Sequence, residues 1–217
     1  MSKSTVAHIT NNPDEPVTFF KQITEAAKKQ STEDVIFMNL ATIDEEFGVL
    51  NRTVVYRGLS DDNCIIYVTQ RFTRNFKNIQ ANAKCGITFF LPNVVVPLQG
   101  QDPAIWQVRL IGATAEELPE SQLDEWWNKE LLSAQIRDHI FPCGQPVNYV
   151  ELVEKHDRFL HDHLESKVPL QRPATYTAFK FRAQRWDFLK VGSGQIADRV
   201  QYRRLENGDW QSMHVST

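Results

Sequence analysis

The sequence predicts an α+β chain that is mainly β, a small antiparallel barrel with helices set around it. About eight short runs rich in β-branched and aromatic residues are separated by turn residues, and most connections between them are too short for a parallel crossover. Other stretches repeat their apolar residues at helical spacing. No internal repeat or low-complexity block interrupts the pattern.

Taken in order, residues 1–15 are polar, hold the turn Asn11-Asn12-Pro13-Asp14, and predict a flexible N-terminal tail. Residues 16–217 read as a single domain. Pro16 suits a first helical position, and Phe20, Ile23 and Ala27 recur at helical spacing through Lys29. Strands are predicted at 35–43, 49–56 and 64–69, with turns at 44–48 and 61–63. In the second of these, Arg52, Val54 and Tyr56 share one face while Thr53, Val55 and Arg57 share the other. Arginines in such a run fit either an edge strand whose charges snorkel to water or a local anion site.

Over 70–79 the third strand gives way to a short helix, with Thr73 placed to cap it and Phe76 and Ile79 facing inward. A helix start offers unpaired N–H groups and partial positive charge, to which Arg74 adds a full one, making a seat for phosphate. A capped basic surface helix is the plainer alternative. A buried strand follows at 84–91, and the irregular segment 92–103 holds three prolines and one glycine. Over 106–112 Trp106, Val108 and Leu110 alternate with Gln107 and Arg109, so an apolar side supports a polar one. A helical insert spans about 119–166. There Ser121 with Asp124 resembles a capping box, Leu123, Trp126, Trp127 and Leu131 supply apolar faces, and further helices fall at 133–140 and 149–164. A C-terminal strand segment at about 174–216 holds strands at 176–181, 184–191, 200–205 and 210–215.

A chain of 217 residues buries a sizeable core without disulfides. Its three cysteines, Cys64, Cys85 and Cys143, form no Cys-x-x-Cys pair and leave one over, which suits a reducing compartment and buried thiols. A net charge of -3 gives no overall basic field for nucleic acid or an anionic membrane, so any anion site is local. With no run near the roughly 18 apolar residues of a membrane span and no secretory start, a cytoplasmic protein is expected. His156, His161 and His163 share one predicted helix, but no pair has i, i+4 spacing, so they read as a solvated face and no metal is expected. Gly192-Ser193-Gly194 precedes no helix and reads as a turn, and no Gly-x-Ser-x-Gly elbow occurs. No catalytic residue stands out, so any reaction falls to a bound cofactor.

Met-Asn-Leu-Ala-Thr-Ile at 38–43, Arg-Thr-Val-Val-Tyr-Arg-Gly at 52–58, Thr-Arg-Asn at 73–75 and Gln-Val-Arg-Leu-Ile-Gly at 107–112 occur in that order. Asp-Arg-Val-Gln-Tyr-Arg-Arg at 198–204 and Trp210 follow. With these motifs the chain, over roughly residues 17–216, resembles the pyridoxamine 5'-phosphate oxidase-like FMN-binding proteins. The resemblance implies an antiparallel split β-barrel with flanking helices, and a homodimer with FMN at the subunit interface. It assigns Arg52, Thr73 and Arg74 to the FMN phosphate. Thr53, Val54, Val55, Tyr56, Arg57, Val68, Thr69 and Gln107 would line the ribityl chain and ring, and Arg199 would reach the ring system. Asn75 stands where the family usually has a lysine, and Leu189 where a tryptophan is usual.

Members that oxidise pyridoxamine phosphate hold the substrate phosphate with a tyrosine, an arginine, a serine and an Arg-x-His pair. Those positions here are Trp126, Glu130, Ala134, Gln195 and Ala197, whereas Arg57 fills the place of a substrate-contacting lysine. A dianion needs charge-assisted donors, and this chain lacks them. The implied function is an FMN-dependent oxidoreductase of an unknown small substrate, related to but distinct from pyridoxamine phosphate oxidase. The alternatives are a non-catalytic FMN-binding carrier or sensor, and a genuine pyridoxamine/pyridoxine 5'-phosphate oxidase.

Overall fold

In the computed structural model, which describes residues 5–32 and 35–217, the chain opens with β1 (Thr5–Val6) and α1 (Pro16–Gln30). Strands β2 (Phe37–Asp44), β3 (Gly48–Val55), β4 (Gly58–Leu59) and β5 (Ile65–Gln70) lead into α2 (Arg74–Ala81). Two long strands, β6 (Lys84–Val94) and β7 (Ala104–Glu117), precede helices α3 (Glu120–Asn128), α4 (Leu132–Ile140) and α5 (Tyr149–Ser166). The chain closes with β8 (Tyr176–Arg182), β9 (Arg185–Val191), β10 (Gln195–Ile196), β11 (Asp198–Arg204) and β12 (Trp210–His214).

The branch point is β7, long enough to serve two partners on one side. Residues 105–111 pair with β9 and residues 114–117 with β8, while β6 runs along the other edge. Gly112 lies between the two partners at φ 64°, a left-handed conformation that glycine adopts without a Cβ penalty. One arm therefore runs β12-β11-β9-β7-β6-β2-β3 and the other β8-β5-β4. The sheet curls but does not close, because among the described residues β3 pairs with β2 alone and β5 with β4 and β8. This is an antiparallel barrel with flanking helices, as the pattern predicts, split as the family resemblance implies.

Helix α1 plugs the curl. Pro16 starts it, as expected, and Phe19, Phe20 and Ile23 are fully buried against the inner faces of the sheet. Phe20 packs edge-on against Phe89 at 4.9 Å, and Phe19 lies 4.6 Å from Phe188. Burial of each such side chain is worth about 1.5–3 kcal/mol, so the helix is held by packing and not by propensity. Trp106, Val108 and Leu110 face this core, and Gln107 and Arg109 face outward, as the alternation requires.

Three expectations need correction. Residues 5–15 are not a loose tail: β1 pairs in parallel with β10, Ala7 and Ile9 are buried, and the Ile9 N–H donates to Asp198. Two apolar residues in a polar stretch suffice to dock it, and residues 1–4 lie outside the described part. Ser121 does not cap α3: it lies within the helix, and Pro119 holds the N-cap position with extended backbone and no side-chain cap bond. Residues 92–94 extend β6, and Pro97–Gln99 forms a 3-10 turn within the segment expected to be irregular.

Candidate functional site

The unclosed edge between β3 and β5 leaves a cleft of about 340 Å³. Arg52, Thr53, Val54, Val55 and Arg57 form one wall, Val68 and Thr69 another, and Thr73 and Asn75 at the start of α2 a third. These are residues that the resemblance assigns to FMN. Tyr67, Gln70 and, from the helical insert, Arg137, Asp138 and Cys143 also line it. No motif points to Arg137 or Asp138, since α4 reaches the cleft only through the packing of the insert.

Arg52 is half-buried on the inward-facing side of β3. Its Nη1 donates to the Leu40 carbonyl at 2.9 Å and to the Thr42 hydroxyl at 2.8 Å. No carboxylate among the described residues pairs with it, and burial pulls its pKa below the ordinary value without removing its charge. Thr73 caps α2 as predicted, accepting from the Phe76 N–H, and its hydroxyl lies 3.0 Å from that of Thr69. A guanidinium, two hydroxyls and the positive end of a helix therefore line the same cleft. Asn75 donates to the Tyr67 hydroxyl at 2.9 Å.

Four anticipated residues are placed elsewhere. Arg74 points away from the cleft into its neighbour, where Asp44 holds it at 2.6 and 2.8 Å and Glu46 at 2.6 Å. The turn after β2 puts two carboxylates within reach, and a bidentate pair outcompetes water for a guanidinium. Tyr56 turns inward and packs edge-on against Phe20 and Phe89. Gln107 and Arg199 lie on the outer face of the sheet, with Leu189 between them in register across β7, β9 and β11. Arg199 is fixed there by buried Asp187, which also binds Arg109 and Gln201.

The other cations lining the cleft are electrically balanced. Arg57 Nη2 lies 2.6 Å from Glu130 Oε2, and Arg137 Nε donates to Asp138 at 3.1 Å. Burial pushes the Glu130 carboxyl up, opposed by Arg57 and Arg137. Trp126, shortly before Glu130 in the chain, packs over Gly58, the neighbour of Arg57.

Hydrogen bonds from Arg74 hold Asp44 well below the usual carboxylate range, and the Ser60 hydroxyl and Lys180 bring Asp62 from 3.8 to about 2. Depressed folded-state values stabilise fully above the unfolded pKa and lose that stability as pH falls through the folded one. The urea midpoint is therefore expected to be flat from pH 7 to about pH 5 and to fall between about pH 4 and pH 2. Asp44→Asn should flatten part of that fall; an unchanged acid limb would contradict the assignment.

A family model described as pyridoxamine 5'-phosphate oxidase matches residues 23–190. The pyridoxine/pyridoxamine 5'-phosphate oxidase of Blochmanniella pennsylvanica is 23% identical over 208 residues, covering 95% of this chain and 89% of that protein. The enzyme of the same name from Shewanella frigidimarina is 24% identical over 201 residues, covering 92% and 88%. Among solved structures, PhzG from Burkholderia lata 383 in complex with tetrahydrophenazine-1-carboxylic acid superposes with a TM-score of 0.79 at 17% identity, covering 99% of this chain and 100% of that one. A pyridoxamine 5'-phosphate oxidase-related, FMN-binding protein from Nostoc punctiforme gives 0.66 at 16% identity, covering 95% and 99%.

Proposed function

This chain belongs to the pyridoxamine 5'-phosphate oxidase family, and we propose on that footing that it is an FMN-dependent oxidoreductase acting on a small molecule other than a vitamin B6 phosphate ester. The observation that carries the reading is the cleft itself, in which residues assigned to FMN from three separate segments converge. Its size lies within the range of ordinary small-molecule sites, about 300–1,000 Å³. Arg52, Thr69, Thr73 and the α2 N-terminus would hold the FMN phosphate, with Val55 and Val68 as apolar walls. When bound, FMN supplies reversible hydride chemistry, which no side chain here provides.

The reading extends to a homodimer. Gln107, Leu189 and Arg199 form a row outside the cleft, and that outer face also exposes Phe37 (54%), Val49 (71%) and Phe90 (58%). A second copy covering this face would shield those side chains and bring the row to its own cleft. Arg74, held by Asp44 and Glu46, contributes little to phosphate binding in this reading. The protein is expected to work in the cytoplasm; among the described residues no helix is long and apolar enough to cross a membrane.

The charge balance at the cleft argues against a phosphate-ester substrate. A buried carboxylate, Glu130, already pairs with Arg57, and a dianion brought beside it would meet a like charge. On the same fold PhzG holds tetrahydrophenazine-1-carboxylic acid, so the architecture is not confined to phosphate esters. Incubating FMN-loaded protein in air with pyridoxamine and pyridoxine 5'-phosphates is expected to yield no pyridoxal phosphate above the rate of free FMN. Anaerobic NAD(P)H or other electron donors should bleach the bound flavin. Steady pyridoxal phosphate formation would identify a genuine vitamin B6 oxidase, and a bound flavin that no donor reduces would identify a carrier or sensor.

A further inference from the structure

Where Arg57 and Gln70 line the cleft lie buried polar atoms that have no partners among the described residues. Gln70 is 3% exposed, and its Nε2 donates to the Asp138 carbonyl at 3.0 Å and to Asp138 Oδ1 at 3.1 Å. Both contacts are acceptors, which fixes the amide orientation and leaves Oε1 as the free end. That oxygen has no hydrogen-bond partner among the described residues. Directly across the β5–β8 ladder stands Tyr176, 0% exposed, whose hydroxyl is likewise without a partner. Residues opposite each other in an antiparallel pair project to the same face.

Arg57 and Glu130 complete the group. Their ion pair brings Nη2 to 2.6 Å from Oε2, a carboxylate oxygen whose second lone pair can still accept, and Arg57 Nε has no hydrogen-bond partner among the described residues. Burial raises the Tyr176 phenol, and the strongest charges acting on it are Glu130, which raises it further, and Arg57, which lowers it. Arg57 and Gln70 line the cleft, with Glu130 paired to Arg57 and Tyr176 across the ladder from Gln70. They offer two donors, Arg57 Nε and the Tyr176 hydroxyl, and two acceptors, Gln70 Oε1 and Glu130 Oε2. Buried polar atoms are seldom left unsatisfied, because each has lost its hydration.

We propose that Arg57, Gln70, Glu130 and Tyr176 form a substrate subsite built for an uncharged group with paired acceptor and donor edges, of the primary carboxamide type. A carboxamide oxygen accepts two hydrogen bonds and its NH2 donates two, which matches the four free positions in number and kind. The charges of Arg57 and Glu130 cancel, so the subsite has no net pull on an anion. A phosphate dianion has acceptors only, leaves Gln70 Oε1 unsatisfied and sets its charge against the Glu130 carboxylate. A carboxylate makes the same error with one charge fewer. The inference rests on the reading of the cleft as a flavin and substrate site, and it adds the chemical class of the substrate's polar end.

The test is a ligand-detected NMR titration of the full chain with benzamide, benzoate and phenyl phosphate, before and after FMN is added. Benzamide is expected to bind at least about tenfold tighter than either anion, since each anion leaves a buried acceptor unpaired. Tyr176→Phe removes a hydroxyl with no protein partner, so folding should be preserved. It should weaken benzamide about tenfold while FMN affinity stays the same. Glu130→Gln, checked by its thermal midpoint, should narrow the gap between benzamide and benzoate. Phenyl phosphate binding as tightly as benzamide, benzamide failing to bind the FMN-loaded protein, or Tyr176→Phe leaving the preference intact would each overturn the subsite. A benzamide preference without any FMN binding would instead overturn the flavin reading and leave the subsite standing.

Discussion

Arg52→Ala is expected to weaken FMN binding by about 100-fold or more, the largest loss that any single change in the cleft should cause. Arg52 is the cation that the phosphate end of the cleft can offer. Arg74 is held by Asp44 and Glu46, and Asn75 is neutral and turned toward Tyr67. The remaining attraction is the partial charge at the start of α2, worth about 0.3–1 kcal/mol for an exposed anion. The Leu40 carbonyl and the Thr42 hydroxyl also lose a donor, so a stability loss of about 1–3 kcal/mol should accompany the affinity loss. Arg52→Lys keeps the charge but not the planar fork and should fall between the two. Quenching of flavin fluorescence on titration reads the affinity, and urea unfolding reads the stability. An Arg52→Ala variant that binds FMN within threefold of the unaltered protein would remove Arg52 from the site.

Asp187→Ala is expected to destabilise the fold by about 3–5 kcal/mol, because it strips the counter-charge from two arginines at once. The Asp187 side chain is 1% exposed and binds Arg109, Arg199 and Gln201. The arginines keep some access to water, which places the loss at the lower end, about 3 kcal/mol, or roughly 10 °C in thermal midpoint for a chain of this size. Asp187→Asn keeps the shape and part of the hydrogen bonding and should lose less. A midpoint shift under about 2 °C for the alanine variant would mean that the arginines do not depend on this carboxylate.

Local pattern made much of this legible. The alternation in β3 put Arg52 with Val54 and Tyr56 on one face, and the structure has that face half-buried toward the core. Thr73 was readable as a cap because a β-branched hydroxyl stands at the strand-to-helix junction, and the chain uses it so. What escaped the pattern depends on distant segments. Nothing around Arg74 says that the turn after β2 brings Asp44 and Glu46 to it, 30 and 28 residues away. The outward-facing row of Gln107, Leu189 and Arg199 needs the registers of β7, β9 and β11, which motif order does not contain. Gln70, Glu130 and Tyr176 come from a strand end, the α3–α4 link and β8, and their common feature, unpaired buried atoms, exists only once the chain is folded. The docking of residues 5–15 escaped the pattern for a related reason: its partners Ile196 and Asp198 lie near the other end of the chain.

On the proposed reading, the gap between β3 and β5 is a flavin mononucleotide site that the protein fills in the cell. The most direct measurement is the flavin absorbance of chain purified from cells without added FMN, with the released cofactor identified by chromatography and counted against protein. The expected result is FMN near one per chain, falling to a small fraction in Arg52→Ala. A colourless protein that takes up no FMN on addition, with Arg52→Ala indistinguishable from it, would contradict the claim.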